Sequence, residues 1–202
     1  QVFDCIPLQL LKTNKKFQYK LIRKGTTHAM YQGAIQKLNE RSYTIPCRKI
    51  CSEELSDSNA FFSGDSAEDA SNMNFKLYLA DTGLLYTKLT EEIGKDRHAA
   101  DEKLSTNRKK ALLENYMAQA LQARGYPFAF WESDSMAKID FIIPKEGHLL
   151  PIEIHCSDNT RSKSISVFRQ KCDIPYAVKI SSRNFDYFNQ IKYIPYYAAF
   201  CI

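Results

Sequence analysis

The stretch "KIDFIIPKEGHLLPIEIHC", residues 138–156, decides the fold. Two apolar runs flank a Lys145-Glu146-Gly147-His148 step, and a glycine-containing step between two strand-like runs reads as a hairpin. Successive side chains in a strand point to opposite faces, so Ile139, Phe141 and Ile143 are expected on one face and Asp140 on the other. On the next strand Ile152 and Ile154 share a face, while Glu153 and His155 share the opposite one. An acid in an apolar strand is costly to bury unless something positive lies beside it. Asp140 and Glu153 are two such acids, on strands expected to be neighbours.

Outward from this hairpin the element order becomes readable. Upstream, "RKKALLENYMAQALQARG" places Leu113, Met117, Ala120 and Leu121 on one helical stripe and closes on Gly125 as a C-cap. "PFAFWES" is a further strand before the hairpin. Downstream, "KSISVFRQKC" reads as a short helix, and "PYAVKISS" and "IPYYAAFCI" as strands. The sum is α-β-β-β-α-β with a terminal strand, an α/β order with a mixed central sheet. Before it, "FKLYLADTGLLYTKL" is an apolar segment running into a short helix, and the charged stretch "GKDRHAADEKLSTNRKK" is expected to be a mobile loop.

The first fifty residues read as three short helices, "IPLQLLKT", "FQYKLIRKG" and "THAMYQGAIQKLNERS", followed by a strand-like "YTIPCRKI". In the third, Tyr31, Ile35 and Leu38 recur at helical spacing behind Thr26 or Thr27 as N-cap. Three helices and a strand is the order of a winged helix. "CSEELSDSNAFFSGDSAEDASNMN" has little periodicity and reads as a linker. The expected division is a winged-helix-like segment at 1–50, an acidic linker at 51–74 and the α/β domain at 75–202.

Charge follows the same division. Residues 1–50 hold ten Lys/Arg against two acids, residues 51–70 hold six acids and no base, and the rest is close to balanced, for a net charge of +5. The basic start, with Lys15, Lys16, Lys20, Arg23 and Lys24, is the footprint a DNA backbone would meet, set against a solvated helix face. No apolar run reaches the roughly 18 residues of a membrane span, and the start lacks the pattern of a signal peptide. A soluble, cytoplasmic protein with no membrane partner is expected. The six cysteines show no C-x-x-C, so reduced thiols are expected rather than a zinc or redox motif.

Asp140 and Glu153, with Glu114 on the preceding helix, are oxygen ligands of the kind that Mg²⁺ or Mn²⁺ prefers, and such an ion can generate hydroxide beside a phosphoryl group. A helix with Glu114 followed by D-x₁₂-E-x-H across a hairpin resembles the core of the restriction-endonuclease-like (PD-(D/E)XK) superfamily. More closely, "ALLENYMAQALQARGY", "FWESDSMAKIDFII" and "LLPIEIHCSDNTRSKSISVF" resemble a C-terminal domain of unknown function in a bacterial and archaeal family of AAA-type ATPases. "DCIPLQLLKTNKKFQYKLIRKG" resembles the winged-helix segment of that family. The resemblance implies Asp140, Glu153 and the residue at 155 as catalytic, and Glu114, Asp140 and Glu153 as metal ligands.

Two departures qualify what it implies. There is no G-x-x-x-x-G-K-[ST], since Gly94-Lys95 has Leu89 where the first glycine belongs, so ATP is expected only in full-length family members and this chain reads as a fragment or truncated relative. The superfamily lysine is replaced by His155, and an imidazole does not carry a lysine's fixed charge. Lys163 or Lys138 is the expected replacement. The leading expectation is the C-terminal, regulatory or nucleic-acid-binding portion of an AAA-type ATPase with a degenerate nuclease-like site. The alternatives are an active Mg/Mn-dependent DNA nuclease and an interaction module that docks an ATPase domain or another protein.

Overall fold

The structure is a computed structural model that describes residues 1–50, 54–55, 74–95, 102–134 and 136–202. It is a mixed α/β protein, and its described residues fall into two compact units. One comprises Gln1–Cys47 and Asp69–Gln119, the other Arg48–Glu68 and Ala120–Ile202. Residues 75–119 thus group with the start of the chain. The expected linker at 51–74 lies, apart from Glu54, Leu55 and Asn74, outside the described residues.

In the first unit, α1 (Val2–Leu10), α2 (His28–Glu40) and the beginning of β1 (Thr44–Lys49) precede β2 (Phe75–Leu79), α3 (Thr82–Lys95) and most of α4 (Glu102–Ala123). Thr27 is the N-cap residue of α2, and Asp81 caps α3 by accepting from Leu84 N at 2.6 Å. The segment expected as a middle helix holds a single 3-10 turn, Tyr19–Leu21. The reason lies just before it: Lys16 bridges to Lys76 and Phe17 N donates to Phe75 O at 2.7 Å, so the backbone is committed to an extended pairing. The charged stretch at 94–110 is not a loop throughout, since α3 runs to Lys95 and α4 begins at Glu102.

The buried stripe of α4 also differs from the apolar one expected. Leu113 is only half-buried, whereas Glu114 and Asn115 are almost fully buried. Asn115 explains its own position: its side chain accepts from Leu79 N at 2.8 Å and donates to Leu79 O at 2.9 Å, completing the edge of β2 as a neighbouring strand would.

In the second unit, α4 ends in a Schellman motif. Tyr126 N reaches Leu121 O at 3.1 Å and Gly125 N reaches Gln122 O at 2.9 Å, with Gly125 at φ +72, a conformation open to glycine without strain. The strands that follow are β3 (Ala129–Glu132), β4 (Lys138–Lys145) and β5 (His148–Ile154), then helix α5 (Ser164–Arg169), β6 (Ala177–Ser181), β7 (Asp186–Phe188) and β8 (Ile191–Pro195). Within this unit the strand order is β1-β3-β4-β5-β6-β8-β7. β3, β4 and β5 are antiparallel neighbours, while β5–β6 and β6–β8 are parallel. A parallel pair needs a crossover connection, and α5 supplies it between β5 and β6. The β4–β5 hairpin turns at Glu146 and Gly147, both with positive φ, as a type I′ turn requires.

Two strand expectations are corrected. "IPYYAAFCI" is a strand only to Pro195, because Tyr196–Cys201 coils into a 3-10 helix. The expected alternation of Ile139, Phe141 and Ile143 is broken by a bulge. Ala129 pairs with Ile142 but Trp131 with Ile139, so β4 carries one extra residue. Ile139 and Ile142 consequently share one apolar cluster with Trp131, Leu149, Ile165, Phe168 and Ala177, and α5 covers that face.

Candidate functional site

The register of β4 on β5 pairs Phe141 with Ile152, so Asp140, just before Phe141, and Glu153, just after Ile152, lie on neighbouring strands of the hairpin. Asp140 Oδ2 accepts from Ile154 N at 2.8 Å, which ties its carboxylate to the end of β5.

Glu153 is 4% exposed, and each of its oxygens has a donor. Ser162 Oγ donates to Oε1 at 2.7 Å. His155 Nε2 stands 3.2 Å from Oε2, and since a carboxylate only accepts, that nitrogen carries the proton. Lys179 Nζ lies 3.5 Å from the same oxygen and donates to Thr160 O at 2.6 Å. Burial pushes the Glu153 carboxyl up, but the hydrogen bonds from His155 and Ser162 and the charge of Lys179 outweigh it and hold the group below its usual range.

Lys179 was not among the expected replacements for the missing lysine. Its signal was present in "PYAVKISS", where a lysine sits in an apolar strand, the same anomaly that singled out Glu153. The parallel registers pair Glu153 with Lys179 and Lys179 with Tyr193, and the antiparallel β7–β8 register pairs Tyr193 with Asp186. One polar row therefore crosses β5, β6, β8 and β7 on a single face.

Ser162 and Lys179, two of the groups that hold Glu153, also line an open cleft of about 690 Å³. Its other walls include Arg161, Lys163, Arg183, Phe188 and Tyr193. Lys163 thus faces the cleft rather than Glu153 directly. Lys138 is directed elsewhere: its Nζ lies 3.8 Å from Glu132, and its backbone N–H donates to Ser164 Oγ.

Glu114 sits in the first unit in a basic setting of its own. Lys15 Nζ is 2.7 Å from Oε1, Lys110 Nζ 3.5 Å from the same oxygen, and Lys76 Nζ 3.8 Å from Oε2, which also accepts from Tyr78 Oη at 3.1 Å. Burial opposes ionisation there, yet the charges of Lys15, Lys76 and Lys110 hold the carboxyl far below its usual range. Lys15 is accordingly engaged inside the fold, whereas Lys20, Arg23 and Lys24 are exposed and Lys16 pairs by its backbone with Lys76. Among the described residues no group of three or more His, Cys, Asp and Glu is placed to hold a metal ion, and no helix is long and apolar enough to cross a membrane.

Residues 109–199 match the family described as a domain of unknown function (DUF4143). That span contains Glu114, Asp140, Glu153, His155, Lys163 and Lys179. No curated protein matches the chain, and no solved structure matches it.

Proposed function

We propose that the second unit binds nucleic acid through the phosphodiester backbone, on a restriction-endonuclease-like sheet whose catalytic site is degenerate. One observation carries this reading: Arg161, Lys163, Lys179 and Arg183 converge on a single cleft beside the position where the superfamily keeps its acid and lysine. Lys179 is paired with Glu153 and Arg183 Nη2 lies 3.5 Å from Asp186 Oδ2, so Arg161 and Lys163 supply the surplus positive charge, and a positive concave surface attracts phosphate. The order of α4, β3, β4, β5, α5 and β6 supports the αβββαβ assignment.

The engagement of Glu153 favours binding over cleavage. A divalent ion at this carboxylate would displace donors from both oxygens and face the Lys179 ammonium at ion-pair distance. This donor set does not fit a resident Mg²⁺ or Mn²⁺, which needs several oxygen ligands free to coordinate it, and among the described residues no group of three or more His, Cys, Asp and Glu is placed to hold one. In line with the resemblance, the unit would serve as a C-terminal nucleic-acid-binding or regulatory part of an AAA-type ATPase. α1, α2 and β1 would form a winged-helix-like segment presenting Lys20, Arg23 and Lys24.

The test is duplex and single-stranded DNA binding by the whole chain, followed by fluorescence anisotropy across a salt series. Affinity is expected to fall steeply with salt, because phosphate neutralisation releases counterions. Binding that is absent at low salt, or indifferent to salt, overturns the proposal. The rival reading, an active Mg/Mn-dependent nuclease, draws on Lys179 standing beside Glu153 as a relocated motif lysine. Metal-dependent cleavage by the native chain that disappears in Lys179→Ala, with circular dichroism showing the variant folded, would establish it in place of the binding role.

A further inference from the structure

Within the cleft the cations are not alone. Tyr193 and Phe188 lie on the same face, since Asp186 pairs with Tyr193 and Phe188 with Ile191 on adjacent antiparallel strands. The Arg183 guanidinium carbon lies over the Tyr193 ring, 4.4 Å from its centroid, a cation–π contact, and its Nη2 is 3.5 Å from Asp186 Oδ2. Phe188 has no such cover: it is 63% exposed on β7, the last strand in the order. An exposed aromatic ring bordering a charged cleft offers a face on which an unpaired base can stack. Arg161 and Lys163 have no acidic partner among the described residues, so their charges remain available to a ligand.

We infer that this cleft takes single-stranded nucleic acid, with an unpaired base stacked on Phe188 and the adjoining phosphates held by Arg161 and Lys163. The inference rests on the nucleic-acid reading above and names its substrate class. Its physical basis is the combination of ring and charge. Cations alone read any polyphosphate backbone, duplex or single. An open aromatic ring adds affinity only where a base face is free, and in a duplex those faces are covered by neighbouring base pairs. The guanidinium of Arg183, in contact with Tyr193, is a planar group of the kind that stacks on a base. A cleft of about 690 Å³ is of the size that encloses a nucleotide-scale ligand.

The experiment uses the whole chain and two fluorescent probes, an oligo(dT) of about 20 nucleotides and a duplex of the same length, well above the site size of a single aromatic platform. Oligo(dT) is expected to bind the more tightly. Phe188→Ala is expected to weaken oligo(dT) about five-fold or more while leaving duplex affinity and the salt slope unchanged, in line with the loss of one stacked base. Phe188→Tyr is expected to restore binding. Phe188 is exposed, so these variants keep the core, and unchanged circular dichroism verifies it. Equal affinity for both probes, with no effect of Phe188→Ala, overturns this inference and leaves backbone binding standing. Failure of both probes to bind at low salt overturns both.

Discussion

Lys179 Nζ stands 3.5 Å from Glu153 Oε2, on the strand paired in register beside it, and each residue is only 4% exposed. Breaking a buried pair leaves an uncompensated charge, whereas replacing both partners by apolar groups is far less damaging. Lys179→Met is therefore expected to destabilise the fold by about 3–5 kcal/mol. The double variant Lys179→Met with Glu153→Leu is expected to recover much of that loss. Urea denaturation of the two single variants and the double measures it, and simple additivity would count against the coupling.

Acid sensitivity follows from Glu153 and Glu114. Both carboxyls are held below their ordinary value of 4.5 in the folded protein. A depressed folded pKa adds stability that is fully present above the unfolded value and is lost as pH falls through the folded one. Stability is expected to decline as pH drops below about 4.5, the unfolded reference. Glu153→Gln removes one of the titrating groups, so its stability should fall less steeply with acid than that of the native chain. Identical slopes, measured by denaturation at a series of pH values, would show that Glu153 does not contribute.

Glu114 gathers three ammonium groups at 2.7, 3.5 and 3.8 Å. Glu114→Ala leaves Lys15 and Lys76, each with a side chain 9% exposed, without this carboxylate. The expected destabilisation is about 3–5 kcal/mol, as for other broken buried ion pairs. Glu114→Gln, which keeps the shape and an acceptor oxygen, should lose less. A neutral effect in thermal unfolding would mean that the lysines find water or another acid at no cost.

The two lysines expected from sequence to replace the motif lysine make different predictions. Lys163 lines the cleft, whereas Lys138 lies near Glu132. Lys163→Ala should weaken DNA binding and reduce the salt slope by about one, the signature of one lost phosphate contact. Lys138→Ala should leave both unchanged. Anisotropy at several salt concentrations decides between them, and equal effects would detach the cleft from binding.

The Lys145–His148 turn offers a local test. Gly147 adopts φ +79, which an L side chain enters at a cost of roughly 1–2 kcal/mol. Gly147→Val should destabilise by about that amount. No loss in chemical denaturation would show that the turn can re-form differently.

The local features of this protein were readable from residue order. Gly147 between two apolar runs gave the β4–β5 hairpin, and Gly125 gave the end of α4, because turn and cap chemistry acts over a few residues. The placing of Asp140 and Glu153 on neighbouring strands followed from that hairpin, whose register is local too. The anomaly of an acid between Ile152 and Ile154 was equally visible, as was its need for a positive neighbour.

Which neighbour it has was decided by tertiary structure. His155 and Ser162 lie close to Glu153 in sequence, but Lys179 arrives through the parallel pairing of β5 with β6, whose register no local pattern encodes, since the crossover through α5 separates the two strands. The extra residue in β4, which turns Ile139 and Ile142 onto one cluster, is a mismatch between two strands and is invisible in either alone. The same holds for Glu114, whose helix supplies Lys110 but whose partners Lys15 and Lys76 come from distant segments. Sequence determined which residues needed partners, because burial of charge is a local property of a patterned strand or helix. Folding determined the partners, because that pairing is made only when separate elements pack.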